Sequence, residues 1–83
     1  MNEKTITLTV NEQPVEMTVC RQDRTATGAE IKAAAIDQGV QIQPNFVLQQ
    51  ELPNGTSQII GDDDPVRLRR HLRFTAIAPD DNS

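Results

Sequence analysis

Eighty-three residues carrying a formal charge of −4 leave room for one small domain, and they exclude a general affinity for nucleic acid or anionic membrane, which a local basic patch would have to supply. The single cysteine, Cys20, excludes an internal disulfide, and no apolar run approaches the ~18–20 residues of a membrane span. The start Met1-Asn2-Glu3-Lys4-Thr5 lacks the basic and apolar regions of a signal peptide, so a cytoplasmic location is expected.

Residues 5–10 set Ile6, Leu8 and Val10 against threonines at 5, 7 and 9, the period-two alternation of a strand with one buried face. Asn11-Glu12-Gln13-Pro14 supplies turn chemistry, and Val15, Met17 and Val19 resume the alternation, so the chain opens on a hairpin. Residues 21–26 are polar and lead into 27–39, the one segment that reads as a helix. Thr27 can accept the backbone N–H three residues on while Glu30 reaches back, a T-x-x-E capping box. Gly39 tolerates the left-handed conformation with which helices commonly end. Ile31, Ala34 and Ala35 mark one face, Ala29, Ala33 and Ile36 an adjoining one, and the small residues let the helix lie close to a sheet.

After a connection over 40–44, Phe46-Val47-Leu48 and residues 49–52 read as a third strand, closed by the hairpin signal Pro53-Asn54-Gly55. Phe46 and Leu48 are expected to face the core and Val47 the solvent. Residues 56–60 form a short return strand with Ile59 inward, 61–65 a loop, and Leu68 a further core residue. Residues 71–78 alternate again, with Leu72, Phe74, Ala76 and Ala78 to one side, and Pro79 ends this last strand. The domain is therefore 1–79, and 80–83 is a tail with nothing to bury.

Chemistry-bearing constellations are sparse. His71 stands alone, tyrosine and tryptophan are absent, and Cys20 lies off the core face by parity, so no enzyme, no cofactor and no metal are expected. Arg67, Arg69, Arg70, His71 and Arg73 form a local basic stretch, read as a solvated face or a docking surface for an acidic partner. Nucleic acid is not expected there, because Asp62-Asp63-Asp64 precedes it and no exposed aromatics accompany it. The acidic triplet lacks calcium-loop spacing and reads as a solvated loop.

Hairpin, capped helix, second hairpin and closing strand, in about 80 residues, resemble the α+β, β-grasp fold of ubiquitin, a mixed four- to five-stranded sheet on one main helix. Lys4-Thr5-Ile6-Thr7-Leu8 is similar to a ubiquitin-type first strand. Thr27-Gly28-Ala29-Glu30-Ile31-Lys32-Ala33 is similar to the T-G-A-E-I-K-A stretch of bacterial multiubiquitin-type domains. The resemblance implies a protein modifier whose partners are an adenylating, ubiquitin-activating-like enzyme, a conjugating-like enzyme, a processing peptidase and target proteins. It places Asp80 and Asp81 where such modifiers usually carry Gly-Gly, so the processed and conjugated segment would be Asp80, Asp81, Asn82 and Ser83, the carboxylate being that of Asn82 once Ser83 is lost. A sulfur carrier is disfavoured by the missing Gly-Gly. The resemblance also implies a partner-binding surface at Val47, with Arg73 and Thr75 nearby, and makes Lys4 and Lys32, the only lysines, the candidate acceptors, Lys4 the better of the two. A solubilising tail on a non-conjugated protein-interaction module is the alternative.

Overall fold

The computed structural model describes residues 4–19 and 25–79. Strands β1 (Lys4–Val10) and β2 (Gln13–Val19) form the opening hairpin, followed by a short β3 (Thr25–Thr27) and helix α1 (Gly28–Asp37). Strands β4 (Val47–Glu51), β5 (Ser57–Ile60), β6 (Pro65–Arg67) and β7 (Arg73–Ile77) complete the order. The main sheet has five strands in the order β2-β1-β7-β4-β5, and only the central β1·β7 pair is parallel. Strands β3 and β6 make a separate two-stranded ribbon where the sequence predicts a polar lead, the end of a loop and the start of a basic stretch.

The first hairpin turns on Asn11 and Glu12, both at positive φ (54° and 67°), so the turn is tighter than the four residues expected and Pro14 already sits in the edge strand β2, opposite Thr9. Asn11 also closes the parallel pair. Its backbone N–H donates to the Phe74 carbonyl, its side-chain Nδ2 donates to the Ala76 carbonyl at 3.2 Å, and its Oδ1 accepts the Ala76 N–H at 2.9 Å. The amide thus continues the β1·β7 ladder beyond the end of β1. Glu12 gains nothing comparable from its left-handed backbone, so Glu12→Gly is expected to raise stability by about 0.5–1 kcal/mol in urea unfolding, as a glycine relieves the β-carbon crowding of that region.

Helix α1 begins as its sequence dictates. The Thr27 Oγ1 accepts from the Glu30 N–H at 3.2 Å and Glu30 Oε1 accepts from the Thr27 N–H at 2.8 Å. At the other end Gly39 N–H donates to the Ile36 carbonyl and Val40 N–H to the Ala35 carbonyl, a Schellman closure made possible by φ +100° at Gly39. Thr27→Ala is expected to cost about 1 kcal/mol, read as a lower melting temperature with unchanged far-ultraviolet helix signal in the folded baseline.

Ile31 and Ala35 are fully buried against the sheet, where they meet Leu8, Val10, Val15, Leu48 and Phe74 in one apolar core. The adjoining helix face, Ala29, Ala33 and Ile36, stays exposed. Met17 and Phe46 are half-buried at the rim rather than inside. The largest departure from expectation is at the return strand. Ile59 is 66% exposed and Ile60 takes the core position, because the register pairs Leu48 with Ile60 and Gln49 with Ile59. The connections bury more than their irregular sequence suggested, with Ala26, Val40, Ile42 and Val66 all in the core.

Candidate functional site

The face of the sheet opposite α1 carries the outward residues of β4, β5 and β7. Across β4 and β7 the register sets Val47 against Ile77, Gln49 against Thr75 and Glu51 against Arg73. Val47 is half-buried and lies off the core, as expected, while Leu48 beside it is fully buried. Ile77 is 45% exposed directly across from Val47, and Ile59 lies one strand further, diagonal to it. Three apolar side chains on adjacent strands therefore form one patch.

Arg73 and Thr75 belong to the polar end of the same face. Thr75 Oγ1 donates to Glu51 Oε2 at 2.6 Å, and Arg73 Nε lies 3.8 Å from Glu51 Oε1. Glu51 thereby holds both neighbours, leaving an apolar end at Val47–Ile77 and a polar end at Glu51–Arg73. Ile77 was legible in sequence, since alternation with Phe74 and Ala76 sends it outward. Ile59 was not, because two adjacent isoleucines leave the inward one undecided until the hairpin register is known.

The candidate acceptor lysines differ sharply in setting. Lys4 opens β1, opposite Val19. Lys32 is only 4% exposed, and its Nζ donates to the Pro44 carbonyl at 2.7 Å and the Phe46 carbonyl at 2.8 Å while pairing with Asp62 Oδ1 at 2.7 Å. An ammonium has three donors, and these three acceptors occupy them. The Lys32 amine is thus not presented to any outside carboxyl in this fold, for it clamps α1 to the 44–46 segment and to the loop after β5.

The two remaining sequence candidates, the segment Asp80-Asp81-Asn82-Ser83 and the Cys20 thiol, lie outside the described residues, so the division between domain and tail meets the structure only as far as Pro79. Among the described residues no group of three or more His, Cys, Asp or Glu side chains is arranged to hold a metal, and no helix is long and apolar enough to cross a membrane.

A mixed five-stranded sheet with a parallel central pair, one capped helix across one face and an edge hairpin β4–β5 defines a ubiquitin-like β-grasp domain. The family model described as Multiubiquitin matches residues 6–80, nearly the whole chain, and the chain belongs to that family. No curated protein and no solved structure matches it.

Proposed function

We propose that this chain is a ubiquitin-like protein modifier, acting as the substrate of its pathway and not as a catalyst. The observation that carries the reading is the Multiubiquitin match, which runs through β7 to residue 80 and so includes the strand that leads into the 80–83 segment. The carboxylate of that segment, at Ser83 or at Asn82 once a peptidase has removed Ser83, attacks the α-phosphorus of ATP on a partner adenylating enzyme. Pyrophosphate leaves and an acyl adenylate forms. A conjugating-like enzyme then directs attack by an amine or hydroxyl of a target protein, and AMP is the leaving group. With Lys32 clamped, linkage of one copy to another through lysine falls to Lys4. The expected setting is the bacterial cytoplasm.

The first step is tested by ATP–pyrophosphate exchange with a purified ubiquitin-activating-like adenylating enzyme from the same organism. Exchange dependent on the chain, and lost when residues 80–83 are deleted, supports the reading. Exchange indifferent to that deletion contradicts it.

The Val47–Ile59–Ile77 patch, in which Ile59 and Ile77 are exposed and Val47 half-buried, favours a second reading, a non-conjugated interaction module that works through its sheet face. Val47→Asp is expected to change stability by less than about 1 kcal/mol, since the side chain is only half-buried. Its effect on partner capture separates the readings. An interaction module loses its partner with Val47→Asp and keeps it without residues 80–83.

A further inference from the structure

Residues 67–73 hold the highest density of positive charge in the chain, and the fold turns that charge into a groove. Val66, Leu68 and Leu72 are buried, which fixes the backbone and leaves Arg67, Arg69 and Arg70 exposed beside β5 and β4. Two adjoining hollows, of about 710 and 420 Å³, share Gln50 and Arg69. The first is lined by Arg67 together with Gln50 and Gln58, which face each other across the β4–β5 register. The second extends past Arg70 to His71 and Arg73.

Little negative charge within the described fold answers these cations. Arg67, Arg69 and Arg70 have no ion-pair partner among the described residues, and Arg73 meets Glu51 only at 3.8 Å. Of the nearby acidic loop, Asp62 pairs with Lys32 and Asp64 Oδ2 accepts the Gly61 N–H at 2.9 Å, while the exposed Asp63 lines neither hollow. A chain whose net charge is −4 thus keeps an uncompensated positive strip, which raises the local concentration of anionic partners and favours an oriented encounter.

We propose that this groove is a docking site for an extended acidic polypeptide segment of a partner protein. The four arginines are divided over two adjoining hollows, Arg67 and Arg69 on the first and Arg69, Arg70 and Arg73 on the second, which suits carboxylates repeated along a strand better than a single phosphate. About six extended residues span ~20 Å, the scale of a groove bordered by residues 67–73. The neutral amides of Gln50 and Gln58 supply donors and acceptors to the segment's backbone, and arginine forks bind its carboxylates in bidentate fashion. Nucleic acid is the poorer fit. The chain has no tyrosine or tryptophan, Phe74 is buried and Phe46 lies half-buried at the core rim, so His71 is the one aromatic ring that borders the arginines and they lack the row of rings on which successive bases stack. This site borders the polar end of the Val47–Ile77 face at Glu51 and Arg73 but includes none of its apolar residues, and it does not depend on activation of residues 80–83.

Fluorescence anisotropy with a fluorescein-labelled hexapeptide of alternating Asp and Glu tests the proposal on the full chain. Binding is expected at about 25 mM salt, weakening at least tenfold by 300 mM as the exposed charges are screened. It should fall at least tenfold in Arg69→Glu/Arg70→Glu and substantially in the milder Arg69→Gln/Arg70→Gln. Both arginines are exposed, so the variants should retain their melting temperature. Absence of binding overturns the proposal, as does equal binding of the Asn/Gln hexapeptide or equal binding by both arginine variants. Tighter binding of a labelled hexathymidylate would make the groove a nucleic-acid site instead. Salt-sensitive self-association abolished by the same variants would assign it to a second copy of this chain. Either result also overturns the proposal.

Discussion

Lys32→Met is expected to destabilise the fold by about 3 kcal/mol, most of it independent of Asp62. The methionine has similar length but no donors, so the carbonyls of Pro44 and Phe46 remain beside an apolar chain where a buried ammonium now satisfies them. A carbonyl left without a partner costs about 1–3 kcal/mol when buried, and since both of these bonds are part-buried the lower half of that range applies to each. The ion pair contributes less, because the Asp62 side chain is 63% exposed and water screens it. Asp62→Asn should therefore cost under about 1 kcal/mol. Urea unfolding of the two single variants and the double variant checks this apportionment. A loss under 1 kcal/mol for Lys32→Met, or equal losses for both, would show that the clamp is chiefly an ion pair.

Gly28→Ala is expected to destabilise by about 2–3 kcal/mol, although the substitution is favourable on helix propensity alone by about 1 kcal/mol. Gly28 opens α1 and is buried beneath the loop after β5. Its N–H donates to the Asp64 carbonyl and the next N–H, of Ala29, donates to the Asp62 carbonyl. A β-carbon at Gly28 would fall on the carbonyl oxygen of Gly61, a backbone atom that cannot rotate away, and close to the Ile60 side chain. Accommodation means moving the loop, with loss of those hydrogen bonds and displacement of Asp62 from Lys32. Gly39 offers the contrast. A β-carbon there meets nothing within 4 Å, and its substitution costs only the strain of φ +100°, on the order of 1 kcal/mol. Thermal unfolding of Gly28→Ala and Gly39→Ala measures both, and a neutral or stabilising Gly28→Ala would contradict the close approach.

These two residues also show how far the sequence reading reached. The T-G-A-E-I-K-A stretch disclosed its cap and its core isoleucine, because capping and helical periodicity act over three or four neighbours. The roles of Gly28 and Lys32 depend on residues 44, 46 and 61–64, which no local rule connects to the helix. Strands β3 and β6 escaped for a related reason, since three residues are too few to display a period. The sheet's outward face was partly legible. Alternation put Val47 and Ile77 on it, but the exposure of Ile59 follows from a register set by the Leu52–Thr56 turn, where the Leu52 N–H donates to the Thr56 carbonyl and Gly55 takes φ +90°. The arginine cluster was plain as charge. Its shape as a groove was not, for it arises from where β4, β5 and β6 come to lie.

The central claim, that this chain is joined through residues 80–83 to other proteins, is tested most directly by intact-mass spectrometry. The chain is incubated, once whole and once with residues 80–83 deleted, in an ATP-supplemented lysate of the organism that encodes it. Covalent adducts are expected, heavier by the mass of the chain less water, and less Ser83 as well where trimming has occurred, with fragment ions placing the new bond at the last residue of the segment. Adducts absent from both reactions, or formed equally by the deleted chain, would contradict it.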